Sequence, residues 1–91
     1  MMLNKVNGVN VLAPHVLHVT FADGFSSVHD FARFKNEHNN VAAPLADPDY
    51  FARVFLDYGA LTWPNGFDMC PDALRMEIER DGVVKSHVAA E

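Results

Sequence analysis

The chain has 91 residues and a formal net charge of −5, with 49% hydrophobic and 21% charged residues. That balance fits one ordinary globular domain, too short for two and too apolar to stay disordered. Lysine and arginine are scattered singly from Lys5 to Lys85 with no basic stripe, which argues against direct binding to nucleic acid and against anionic membrane surfaces.

In chain order, Val9 to Ala13 is a short apolar run that reads as a first strand, limited by Pro14. From Val16 to Phe31, β-rich residues flank Asp23-Gly24, a strong hairpin cue. A two-residue turn there pairs Val19 with Val28 and His18 with His29. One face then carries Leu17, Val19, Phe21 and Val28. The other carries His18, Thr20, Ser27 and His29, with Phe25 and Phe31 as exceptions. A three-residue turn with a bulge flips one strand relative to the other, so the register stays open.

Phe31 and Phe34 have helical spacing before an Asn-rich stretch, Asn36 to Asn40, and predict one short helical turn followed by a loop. Asp47-Pro48 predicts a helix start, Asp as N-cap and Pro at the first position, with about two turns through Arg53. Two short runs joined by Tyr58-Gly59 predict a second hairpin, Leu56 opposite Leu61 and Val54 opposite Trp63. In that hairpin Phe55, Asp57 and Thr62 face away. Pro64-Asn65-Gly66 reads as a compact turn beside Trp63, the only tryptophan and the expected anchor of the core. Asp68 reads as part of a turn leading into a last helix that begins at Pro71, with Cys70 near its N-cap, Leu74 and Ile78 on its inner face and Gly82 as its stop. These elements predict an α+β fold: a small two-layer domain with a mostly antiparallel sheet of about five strands and two short helices. Residues 1–82 form the expected single domain and 83–91 a C-terminal tail.

A single cysteine excludes an internal disulfide and fits a reducing compartment. The N-terminus has no basic region followed by an unbroken apolar one, and no stretch approaches the roughly 18 apolar residues of a membrane span, so a cytoplasmic protein is expected.

The ordered residues Phe21, Asp23, Gly24, Asp30, Leu45, Asp47 and Phe51, then Trp63-Pro64-Asn65-Gly66 with Asp68, and finally Pro71 and Leu74, resemble the bacterial domain of unknown function 2442. The resemblance implies an α+β fold with a mostly antiparallel sheet and carries over no established activity. It marks Asp23, Gly24, Trp63, Pro64, Asn65, Gly66 and Asp68 as signature residues. Some relatives carry an added helix-turn-helix, and others are short proteins encoded beside a small putative toxin. The resemblance therefore implies a small protein partner and an antitoxin-like or regulatory role.

Candidate chemistry is thin. His18 and His29, if opposed across the first hairpin, supply two zinc ligands where a site needs at least three. The plain reading is two solvated histidines. His15, His38 and His87 fall in turns or loops. Cys70 near a helix N-terminus has no marked base, and reads as a partly buried thiol at a cap. Asp23, Asp30, Asp47, Asp57 and Asp68 each have a turn, cap or surface role available. No cofactor, metal site or catalytic residue is expected. The expectation is a non-catalytic protein-interaction module; the alternative is a small-ligand or metal-dependent enzyme using His18 and His29. Phe25, Phe31 and Phe55 on outer faces would, if clustered, hint at a homodimer.

Overall fold

Two reversals built from the same chemistry set the architecture. In Phe21-Ala22-Asp23-Gly24-Phe25 the Phe21 N–H donates to the Phe25 carbonyl at 2.8 Å and Gly24 N–H returns to the Phe21 carbonyl at 2.9 Å. Asp23 Oδ1 accepts from Phe25 N–H at 3.0 Å, and Gly24 sits at φ +95°. In Trp63-Pro64-Asn65-Gly66-Phe67 the corresponding bonds are 2.9, 2.9 and 3.2 Å, with Gly66 at φ +91°. Each is a three-residue loop in which an Asx side chain caps the return strand and a glycine takes the left-handed position, the bulged alternative to a two-residue hairpin.

The structure is a computed structural model and describes residues 4–36 and 41–82. The expected tail, His38, His87 and residues 37–40 of the Asn-rich stretch lie outside the described residues. Strands β1 (Val6–Ala13), β2 (Val16–Phe21) and β3 (Ser26–Asp30) form one antiparallel sheet in that order. Strands β4 (Phe55–Asp57), β5 (Ala60–Thr62) and β6 (Asp68–Met69) form a second. Helix α1 spans Pro48–Phe51 and α2 spans Pro71–Asp81, and 3-10 turns occupy Ala32–Asn36 and Ala43–Ala46. This is a small α+β domain, with six strands in two sheets among the described residues rather than about five in one.

The three-residue loop decides the register of the first hairpin. Val19 pairs with Ser27, His18 with Val28 and Leu17 with His29, one residue away from the two-residue-turn pairing. A one-residue slip exchanges faces. Ser27, His29 and Phe31 therefore point inward with Leu17, Val19 and Phe21, and all six are buried. Val28 moves to the outer face. Phe25 packs against the core and Phe31 lies inside it, so neither joins Phe55 in an outer patch.

The second hairpin has the expected register, Leu56 with Leu61, because Tyr58-Gly59 is a true two-residue turn with φ +50° and +79°. A Cβ on Gly59 would run into the Lys5 side chain, so the glycine answers both to the turn and to a neighbour. Thr62, on the face opposite Leu61 as expected, is nonetheless buried, its hydroxyl returned to the Ala60 carbonyl at 3.1 Å. The strand continues past the Trp63 loop: Thr62 pairs with Asp68 and Leu61 with Met69, so Asp68 belongs to β6 and not to a turn. The two sheets meet where Val6 N–H donates to the Gly59 carbonyl at 2.9 Å, and β1 begins at Val6 and not at Val9 because Val6 and Gly8 already pair with Phe21 and Thr20 of β2.

Asp47 caps α1 by accepting from Asp49 N–H at 2.9 Å. The helix is one turn rather than two, since the chain must be extended again by Phe55 to enter β4. Its Phe51 is the hub of the core. Trp63 is fully buried, its ring 5.4 Å from Phe51 and its Nε1–H donating to the Phe51 carbonyl at 2.9 Å. Phe31 and Phe34 complete the aromatic cluster, 5.6 and 6.1 Å from Phe51. Leu74 and Ile78 close the core from α2 as their spacing predicts. Cys70 at the N-cap of α2 is exposed rather than partly buried and makes no side-chain cap bond, because Pro71 turns inward in its place.

Candidate functional site

The concentration of charge lies where β3 meets the last turns of α2. Because the first hairpin turns inward at His29, that imidazole is only 4% exposed and faces the helix. Glu77 and Asp81, four apart, share the helix face that meets it. His29 Nε2 lies 2.8 Å from Glu77 Oε2 and 3.8 Å from Asp81 Oδ2. Arg33, from the 3-10 turn after β3, grips Glu77 with both arms: Nη2 to Oε1 at 2.8 Å and Nε to Oε2 at 3.2 Å. Arg80 donates to Asp81 Oδ1 at 3.1 Å and leaves Oδ2 toward His29. Burial pushes the Glu77 carboxyl up, but hydrogen bonds and charge from Arg33 and His29 prevail and hold it below the ordinary carboxylate range. The Arg80 hydrogen bond likewise lowers Asp81.

His29, Asp30 and Asp81 also line a shallow cleft of about 380 Å³ between the outer edge of β3 and the end of α2. Potential metal-ligating atoms of His29, Glu77 and Asp81 all lie within 4.8 Å of one another. The pairing of His18 with His29 does not exist: in the observed register they occupy opposite faces of the sheet. His18 Nε2 is buried without a hydrogen-bond partner, and its cross-strand neighbours are Asn10 and Val28. His15 is in a turn as expected but is buried, its Nε2–H donating to the Leu45 carbonyl at 2.7 Å. Its φ of +60° folds the ring inward onto Phe51, 4.8 Å away.

The signature residues fall into three places and not one site. Asp23 and Gly24 form the first loop, where the Phe25 amide and the Arg75 guanidinium lower the Asp23 carboxyl. Trp63 to Gly66 form the second, where Asn65 does double duty: Oδ1 caps Phe67, and Nδ2 donates to the Val41 carbonyl at 2.7 Å. Asp68 is exposed in β6 and lines a separate depression with Cys70, Asp57 and Tyr58. No pairing of these residues with an imidazole is present among the described contacts.

A model of the family described as Protein of unknown function (DUF2442) matches residues 6–80. The chain belongs to that family. No curated protein and no solved structure matches it. The DUF2442 match covers both sheets and nearly all of α2, so Glu77 falls inside the matched region and Asp81 just beyond it. The His29–Glu77–Asp81 cluster of this DUF2442 chain had one legible component, the i, i+4 carboxylates on α2. The inward turn of His29 depended on the loop type, and its contact with Glu77 spans 48 positions. No helix among the described residues is long and apolar enough to cross a membrane.

Proposed function

We propose that this DUF2442 chain is a non-catalytic, cytoplasmic protein-interaction module that accepts an extended segment of a small protein partner along β1. The observation that carries the reading is the edge itself. β1 is the longest strand and lies at the margin of its sheet, and its eight residues include no charged side chain. Among the described residues, only its first bonds through the backbone to the second sheet, from Val6 to Gly59. Val11 and Leu12 are 44% and 54% exposed at the far end. Natural edge strands are ordinarily protected by charge, proline or irregular pairing. Here two breaks in register, between Val6 and Gly8 and between Val11 and Ala13, are the only such device within the strand. An added strand supplies main-chain hydrogen bonds for affinity and side-chain pockets for selectivity. The net charge of −5 steers the domain toward a basic partner. By analogy with short relatives encoded beside a putative toxin, the role is antitoxin-like or regulatory.

The test is co-expression with the product of the adjacent gene. A complex that survives gel filtration, and that Val11→Lys with Leu12→Lys weakens without unfolding the chain, supports the reading. Two separate elution peaks for the wild-type pair overturn it.

A further inference from the structure

We propose that His29, Glu77 and Asp81 form a binding site for one divalent transition-metal ion of the zinc type, with the adjoining cleft supplying room for water or a further ligand. This inference is independent of the partner-binding reading, and it goes against the sequence expectation of no metal site. Three features carry it.

First, the donors are of the right kind and number. One imidazole and two carboxylates, from β3 and from one face of α2, are a three-ligand set of the sort that leaves a coordination position open. An imidazole nitrogen among them selects zinc, nickel or copper over magnesium and calcium.

Second, the geometry is close. Ligand bonds of about 2.0–2.2 Å place tetrahedral donor atoms about 3.3–3.6 Å apart. His29 Nε2 stands 2.8 Å from one carboxylate oxygen and 3.8 Å from the other, on either side of that spacing. All three donors fit within 4.8 Å, and the widest pair must close by roughly 1.2–1.5 Å to reach that spacing, a movement that a rotamer adjustment of exposed Asp81 supplies. The ion takes the place of the hydrogen between Nε2 and Glu77, and the ring keeps its proton on Nδ1.

Third, each carboxylate is already oriented by an arginine: Arg33 grips Glu77, and Arg80 holds the Oδ1 of Asp81 so that Oδ2 faces the imidazole. Outer partners of this kind fix ligands in place, and here they offset part of the negative charge that would otherwise be concentrated at the site. The competing account is a tie between β3 and α2 that has no need of an ion.

The experiment is calorimetric titration of zinc chloride into tag-free, chelator-dialysed full-length protein, with thermal melting alongside. Wild type binds one zinc per chain and melts higher with zinc. Asp81→Asn and Glu77→Gln each weaken binding at least tenfold, while Cys70→Ser leaves it unchanged. Asp81 is nearly half exposed, so its variant keeps the fold and isolates the ligand role. Folded wild type that shows no heat and no melting shift overturns the proposal. So does zinc binding that Asp81→Asn leaves intact or Cys70→Ser abolishes, because the ion then sits elsewhere.

Discussion

The guanidinium of Arg75 lies 3.8 Å from the centre of the Phe25 ring while its Nη1 reaches Asp23 Oδ2 at 3.2 Å. One side chain of α2 thus holds both the apolar and the acidic side of the first loop, and the same Nη1 also donates to Asn4 Oδ1 at 3.2 Å. With 16% of the side chain exposed, Arg75 is closer to a packing residue than to a surface ion pair. Arg75→Ala is expected to destabilise by about 1–2 kcal/mol, mostly through lost stacking and stem burial. Arg75→Lys keeps the charge but not the planar stack, and recovers less than half of that loss. Urea midpoints of the three proteins measure it. If Lys restores full stability, the ion pair and not the ring contact is what matters.

Glycines at the reversals separate conformational strain from crowding. Gly24→Ala meets open space at φ +95° and is expected to cost about 1 kcal/mol, the usual penalty of a left-handed residue. Gly59→Ala adds the encounter with Lys5 to a similar backbone penalty, so its loss is larger, about 2 kcal/mol or more. Chemical denaturation of the two variants checks the ranking. Lys5→Ala in the Gly59→Ala background recovers the difference if crowding is its source.

The linkage at Glu77 has a definite sign. Its carboxyl is lowered from 4.5 in the folded chain, so the folded state binds the proton less readily than the unfolded one. The stability it contributes is fully present above the unfolded-state value and is lost as pH falls through the folded-state value. Urea unfolding of wild type therefore weakens between about pH 5 and pH 3 by more than that of Glu77→Gln, which has no such proton to take up. Equal losses for the two proteins over that window would place the acid sensitivity elsewhere.

What the sequence disclosed follows from the range of the interactions involved. Asp47-Pro48, Tyr58-Gly59 and Pro71 to Gly82 are local signals, and the elements they start, turn or stop stand where expected. Asp23-Gly24 is also local but ambiguous, since the dipeptide serves both two- and three-residue loops. The deciding clue was comparative: Phe21-Ala22-Asp23-Gly24-Phe25 and Trp63-Pro64-Asn65-Gly66-Phe67 are one pattern, aromatic residues flanking an Asx-Gly pair. Phe25 and Phe31 looked misplaced in the two-residue register, and that misfit was itself evidence for the other one. The contact of His29 with Glu77 and Arg33 is tertiary and followed from the register, so it was hidden as long as the register was. The two 3-10 turns brace the aromatic cluster through Phe34 and Leu45; the spacing of Phe31 and Phe34 announced the first as a short helical turn, while the second, four residues long, has too few to show a period.

Trp63 offers the most direct check on the core. Its ring is fully buried beside Phe51 and Phe67, and its indole N–H satisfies the Phe51 carbonyl at the end of α1. Trp63→Phe removes ring volume and takes the nearer of two donors from that carbonyl, leaving it the Val54 N–H at 3.3 Å. Cavity and lost hydrogen bond together are expected to cost about 2–4 kcal/mol. As the only tryptophan, Trp63 also reports on its own environment. Its emission should be blue-shifted in the folded wild type and move to the red in a single urea transition that coincides with the loss of far-ultraviolet circular dichroism. A red-shifted emission before any urea is added would mean that the indole meets water, and the α1–β5 junction would then have to be rebuilt around a different anchor.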